Sequence, residues 1–304
     1  MKLIAVLLAA VILGAAAWLY VPDKPRAALE ARYAASPDSF REVAGLRLHL
    51  RDTGPRDAPA VILLHGFASS LHTWEDWARV LDRDHRVIRL DLPGFGLTGA
   101  DPTGDYTDER SAAVLLALMD GLGLRRTSLV GSSMGGRIAW DFAARHPDRV
   151  DRLVLMAPDG FAGPGREYGV APKVPMLVRL LPYVLPTPLL RKSLSAAYAD
   201  PAAMTEERLA RYRDMLLAPG VRRAIVARTG QGALADPVPL LRRITAPTLL
   251  VWGEKDAMIP VANAADYQRA LPDSRLVVFP GLGHVPQEEA PDLSLEPVRA
   301  FLGG

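Results

Sequence analysis

Ser133 lies in "LVGSSMGGRIAW", Leu129 to Trp140, where Gly131-x-Ser133-x-Gly135 separates an apolar run from a helical pattern. Small neighbours permit a sharp turn, because strand and helix backbones must pass close together there. The turn exposes the hydroxyl at the head of a helix, which favours developing negative charge. A serine hydroxyl is a weak nucleophile until a base accepts its proton, and that base needs an orienting acid. His284, in the glycine-rich "GLGHVPQEEAP", is the candidate base. Asp256, in "VWGEKDAMIP", is the candidate acid; Glu254 sits too close to the strand end, and Asp159 in "MAPDG" is a substitute. The chain order Ser133, Asp256, His284 suits a sheet enzyme that transfers acyl groups. Such chemistry also needs donors for an oxyanion. The N–H groups of Met134, next to the nucleophile, and of Phe67, in "LLHGFASS", are the candidates. His65 is read as shaping that loop, and His49, His72, His85 and His146 as surface residues.

These residues need elements to carry them. Strict alternation predicts a half-buried strand over 46–52. Short apolar runs predict strands over 60–64, 86–90, 127–130, 152–156, 247–252 and 274–279. Helical spacing falls between them, at 74–81, 106–122, 134–144, 261–270 and 291–302. The alternation predicts an α/β fold: a mostly parallel sheet with helices on both faces. Residues 160–236 break the rhythm and read as a helical cap inserted between two strands. The core is then 44–159 with 237–304, preceded by a linker over 23–43 with some helical content.

Composition narrows the classes. The chain has 304 residues, a net charge of +2 and no cysteine. Thiol catalysis and disulfides are excluded, and neither a basic field for nucleic acid nor a metal-ligand spacing is present. No cofactor is expected. At the N-terminus, an uncharged run from Leu3 to Val21 follows Lys2. At about 1.5 Å per residue it reaches roughly the 30 Å of a bilayer core. Trp18 and Tyr20 suit an interface, so residues 1–22 are read as a transmembrane signal anchor, or as a signal peptide if cleaved after Ala15-Ala16-Ala17. The expected location is the cell membrane, with the catalytic domain outside the cytoplasm, or secretion if the segment is cleaved.

Together, "LLHGF", "DLPGFGLT", "LVGSSMGG", "LVWGEKDAMIP" and "GHVPQEEAP" resemble the α/β-hydrolase family over about residues 44–302. In that family Asp91-x-x-Gly94-x-Gly96 is a structural turn. The chain looks most like membrane-anchored monoacylglycerol lipases and related bacterial lipases and carboxylesterases. The resemblance implies hydrolysis of lipid-like esters. Similar elbows occur in meta-cleavage-product C–C hydrolases and in cofactor-free haloperoxidases or perhydrolases, which are the alternatives. Dehalogenases and epoxide hydrolases would carry aspartate in place of Ser133. The expected partners are a small-molecule or lipid ester and a membrane, met by the N-terminal segment and by the cap through "VPMLVRLLPYVL" with Arg179, Arg191 and Lys192. No nucleic acid is expected, and the oligomeric state stays open.

Overall fold

The computed structural model describes residues 19–163 and 167–303. Its strands are β1 Phe40–Val43, β2 Leu46–Thr53, β3 Ala60–Leu64, β4 Arg86–Leu90, β5 Thr127–Ser132, β6 Val150–Met156, β7 Thr248–Gly253 and β8 Ser274–Phe279. They form one eight-stranded sheet in the order β1-β2-β4-β3-β5-β6-β7-β8. β1 and β2 pair antiparallel, as do β2 and β4, and every later pairing is parallel. Successive residues of β3 divide between two hydrophobic cores: Ile62 and Leu64 face one, Val61 and Leu63 the other. A strand buried on both faces must be continuously apolar, which is why "AVILL" shows no alternation.

Two features depart from the sequence reading. β1 falls within the expected linker. It is an edge strand that buries only Val43, so its charged Arg41 and Glu42 carry no core signature. The helical content expected of the linker is the helix Arg26–Tyr33. The fold class needs a larger correction. Among the described residues no helix is long and apolar enough to cross a membrane, so the described architecture holds no transmembrane anchor. Residues 1–18, most of the expected segment, lie outside the described residues.

Between β6 and β7 come the helices Met176–Leu180, Thr187–Ser195, Glu206–Leu216, Val221–Gln231 and Val238–Leu241. Thr205 caps the third of them by accepting from the Arg208 N–H, and Glu206 and Glu207 follow in its first turn. Gly220, at φ +81°, makes the left-handed step into the fourth.

The histidines also differ from expectation. His49, His72 and His85 are buried, and His146 is half-buried against Phe142, with ring centroids 4.8 Å apart. His49 occupies the outward parity of β2, but the loop after β4 covers that face. Its Nδ1 lies 2.7 Å from Asp91 Oδ2. Asp91 also accepts from the Leu71 and Leu97 N–H groups, at 2.8 and 2.7 Å. A Cβ on Gly96 (φ +51°) would sit 2.1 Å from that carboxylate, so the turn after β4 needs glycine. Asp91 therefore has the structural role read from its motif.

Burial pushes the His72 imidazole down to about 4 and lowers that of His65 as well. Unfolded histidine takes a proton near pH 6.5, so between about 6.5 and 4 the unfolded state binds more protons. Stability is expected to fall with pH through that window, by up to about 1.4 kcal/mol per pH unit for each such group. Urea denaturation at pH 7 and pH 5 measures it, and His72→Gln should make the dependence shallower.

Candidate active site

The turn at Ser133 is held from three directions. Its N–H donates to the Met156 carbonyl at 2.9 Å, and its carbonyl accepts from the Arg137 and Asp159 N–H groups, both at 3.0 Å. The serine is forced to φ +54° and ψ −117°, a costly conformation outside glycine. Helix Met134–Arg145 starts at the next residue. The flanking glycines are needed for space: a Cβ at Gly131 would lie 2.3 Å from the Gly135 carbonyl oxygen, and one at Gly135 would lie 2.3 Å from that of Leu64. Short of such contacts, the half-buried serine faces a cavity.

The candidate acid and base meet behind it. His284 Nδ1 lies 2.7 Å from Asp256 Oδ2. Asp256 Oδ1 accepts from the Met258 and Ile259 N–H groups at 2.8 and 2.9 Å. With both oxygens occupied, the carboxylate is fixed and acts as the acceptor, which puts the proton on Nδ1 and leaves Nε2 able to accept. Both residues are buried. The loops converge because Gly253 lacks a side chain: a Cβ there would sit 2.0 Å from the Gly283 carbonyl oxygen. Ser133 and His284 line the same cavity, of about 230 Å³.

Phe67 and Met134 border cavities that Ser133 also borders. Neither backbone N–H donates to a protein acceptor among the described residues. His65 donates from Nδ1 to the Gly66 carbonyl at 2.7 Å and accepts from the Leu92 N–H at Nε2, 2.9 Å away, which pins the loop that carries Phe67. The other two acids make other contacts. Asp159 accepts from the Gly160 N–H and stands 3.9 Å from Arg137. Glu254 accepts from the Gly281 N–H at 3.0 Å.

Sequence reasoning left one group of residues unassigned. The Ala197 carbonyl, in the cap, accepts from the His284 N–H at 2.7 Å. Glu289 accepts from Gly283 N–H at 2.6 Å and from Ala199 N–H at 2.7 Å, tying the histidine loop to the cap. Glu288 accepts from the hydroxyls of Tyr198 and Tyr212, at 2.6 and 2.8 Å. Burial pushes both phenols well up, so they remain donors. The only signal was the pair of acids in "HVPQEE", four and five residues after His284.

A nucleophile elbow on a mostly parallel sheet, with acid and base after later strands, defines a class of fold with one catalytic edge. The chain belongs to the α/β-hydrolase fold family, whose model matches residues 59–291. It is 32% identical over 271 residues to a 2-hydroxy-6-oxononadienedioate/2-hydroxy-6-oxononatrienedioate hydrolase of Paraburkholderia phymatum, covering 85% of this chain and 91% of that one. Among solved structures it resembles a meta-cleavage product hydrolase mutant, at TM-score 0.74 and 26% identity, over 86% of this chain and 96% of the other. It also resembles a membrane phospholipase A described as a bacterial virulence factor, at TM-score 0.74 and 27% identity, over 99% and 98%. Hydrolase is the level these relatives share. The likeness to monoacylglycerol lipases is not carried by them.

Ser133→Ala and His284→Ala should each lower kcat by about 10³-fold or more, and Asp256→Asn by about 10⁴-fold. Steady-state turnover of a p-nitrophenyl ester, with circular dichroism to confirm folding, checks this. A Ser133→Ala protein that keeps its activity would remove Ser133 from the chemistry.

Proposed function

We propose that the protein is a carboxylic ester hydrolase that takes an apolar acyl chain. The observation that carries this reading is the lining of the cavity beside Ser133. Leu181, Leu185, Leu190, Leu194 and Ile225 of the cap face it, and among the described residues no arginine, lysine or carboxylate lines it. An acyl chain gains from burial there, and a charged group would lose its hydration without a partner.

In the proposed reaction Ser133 Oγ attacks the ester carbonyl and His284 Nε2 accepts its proton. Asp256 stabilises the imidazolium through Nδ1. The N–H groups of Phe67 and Met134 receive the oxyanion. The alcohol leaves with the proton from His284, and a water activated by the same residue releases the acid.

A second reading, hydrolysis of a C–C bond in a dienoate, has specific support: a curated relative is named for a dienedioate substrate and one structural neighbour as a meta-cleavage product hydrolase. The cavity weighs against the dienedioate of that curated relative. Such a molecule is charged at both ends, and one end would have to enter the uncharged cavity. The phospholipase likeness supports the ester reading.

The two readings separate on a panel of p-nitrophenyl esters of rising acyl length, a monoacylglycerol and a 2-hydroxy-6-oxo-dienedioate. The expected result is kcat/KM highest on medium or long acyl esters and at least about 100-fold lower on the dienedioate. The reverse order would establish the C–C hydrolase.

A further inference from the structure

A second cavity meets the first at the nucleophile. It holds about 530 Å³, and Ser133, Phe67 and Met258 border both. Its chemistry is the opposite. Arg137, Lys173 and Arg228 face it, together with Asp108, Glu109 and Asp159. The acids are engaged: Asp108 accepts from Arg137 Nε at 2.9 Å, Asp159 stands 3.9 Å from the same guanidinium, and Glu109 accepts from Arg145 at 2.7 Å.

Arg228 is different. Among the described residues no carboxylate pairs with it. Its guanidinium lies 5.5 Å from the Phe95 ring centroid and 5.4 Å from that of Tyr106. One N–H group donates to the Pro93 carbonyl at 3.2 Å, while Nε is buried and has no partner. Burial draws its pKa down to about 10, which leaves it charged at neutral pH. A half-buried cation without a carboxylate partner is costly, and that cost falls where an anionic ligand reaches the side of it that faces the cavity. Lys173, exposed on the same cavity, adds a second charge with no carboxylate partner among the described residues.

With the acyl chain in the apolar cavity, the scissile bond sits at Ser133 and the alcohol half points into the charged one. We propose that the second cavity is the leaving-group subsite, and that Arg228 selects esters whose alcohol carries an anionic phosphate, as an acylglycerol phosphate does. The proposal rests on the ester reading above. It assigns substrate choice to two independent surfaces: length of the acyl chain to the cap leucines, and charge of the alcohol to Arg228. Arginine suits this role because its planar fork matches phosphate oxygens.

The test compares a 1-acylglycerol with its 3-phosphate, matched in acyl chain, on wild type, Arg228→Gln, Arg228→Lys and Lys173→Gln. Wild type should prefer the phosphate by about tenfold or more in kcat/KM, carried in KM. That ratio should collapse towards one in Arg228→Gln, stay intermediate in Arg228→Lys, and fall partly in Lys173→Gln, which alters only an exposed side chain. Calorimetry on Ser133→Ala adds a readout that needs no turnover: glycerol 3-phosphate should bind, and glycerol should not. A wild type that ignores the phosphate, or a ratio unmoved in Arg228→Gln, overturns the proposal. Equal binding of inorganic phosphate and glycerol 3-phosphate reduces the site to a bare anion site and also overturns it. Neither acylglycerol being cleaved while glycerol 3-phosphate still binds would sink the ester reading and leave the anion site standing.

Discussion

The catalytic edge depends on how closely one backbone passes another. At Gly131, Gly135 and Gly253 a single added carbon would collide with a carbonyl oxygen at 2.0 to 2.3 Å. Close approach at the first two lets the helix start directly above β5 and drives Ser133 into its left-handed conformation. Close approach at the third brings the loops after β7 and β8 together, so that Asp256 and His284 meet. The strain at Ser133 is sustained because its neighbours leave no alternative: the carbonyl of Met156 and two amides fix the turn from outside. The reactive geometry is therefore a property of the sheet's packing, and the side chains that do the chemistry are attached to it.

The same packing explains which parts of the molecule can be read from sequence. Glycines forced by close approach leave fixed spacings, so the elbow and the loops of Asp256 and His284 stand out. Strands buried on both faces also stand out, as unbroken apolar runs. β1 does not, because an edge strand with one buried residue carries no periodic signal. The buried histidines escape for another reason. Alternation places His49 outward, and only the tertiary course of the chain after β4 shows that this side is covered, with Asp91 waiting there. The cap's role is the hardest to read. A leucine lining a cavity and one packed in a core have the same sequence signature, and the two are separated only by what lies opposite.

The cap is also bonded to the base. His284 donates its own backbone N–H to a cap carbonyl, and Glu289 spans the histidine loop and the cap with both its oxygens. Glu288 draws two tyrosines of the cap into the same contact. A cap held this way sets the position of His284 as well as the shape of the apolar cavity beside Ser133. Exchange of one cap for another on this scaffold would then alter rate and substrate together. That coupling is consistent with relatives of similar overall structure being named for different reactions.

The placement of charge around the nucleophile follows from the same division of labour. An ester of an apolar acid with a charged alcohol presents opposite chemistries within a few bonds, and one cavity lined for both would serve neither. Here Ser133, Phe67 and Met258 lie between a chamber lined, among the described residues, by no arginine, lysine or carboxylate and one lined by three cations and three carboxylates. The scaffold supplies the boundary, since the nucleophile must stand at the edge of the sheet. The cap contributes to both chambers: its residues before Val221 give much of the apolar wall, and the end of Val221–Gln231 gives Arg228. Helix Val221–Gln231 contributes Ile225 to one side and Arg228 to the other. Residues three apart on a helix are neighbours on its surface, so one short turn places hydrocarbon on one side of Ser133 and charge on the other.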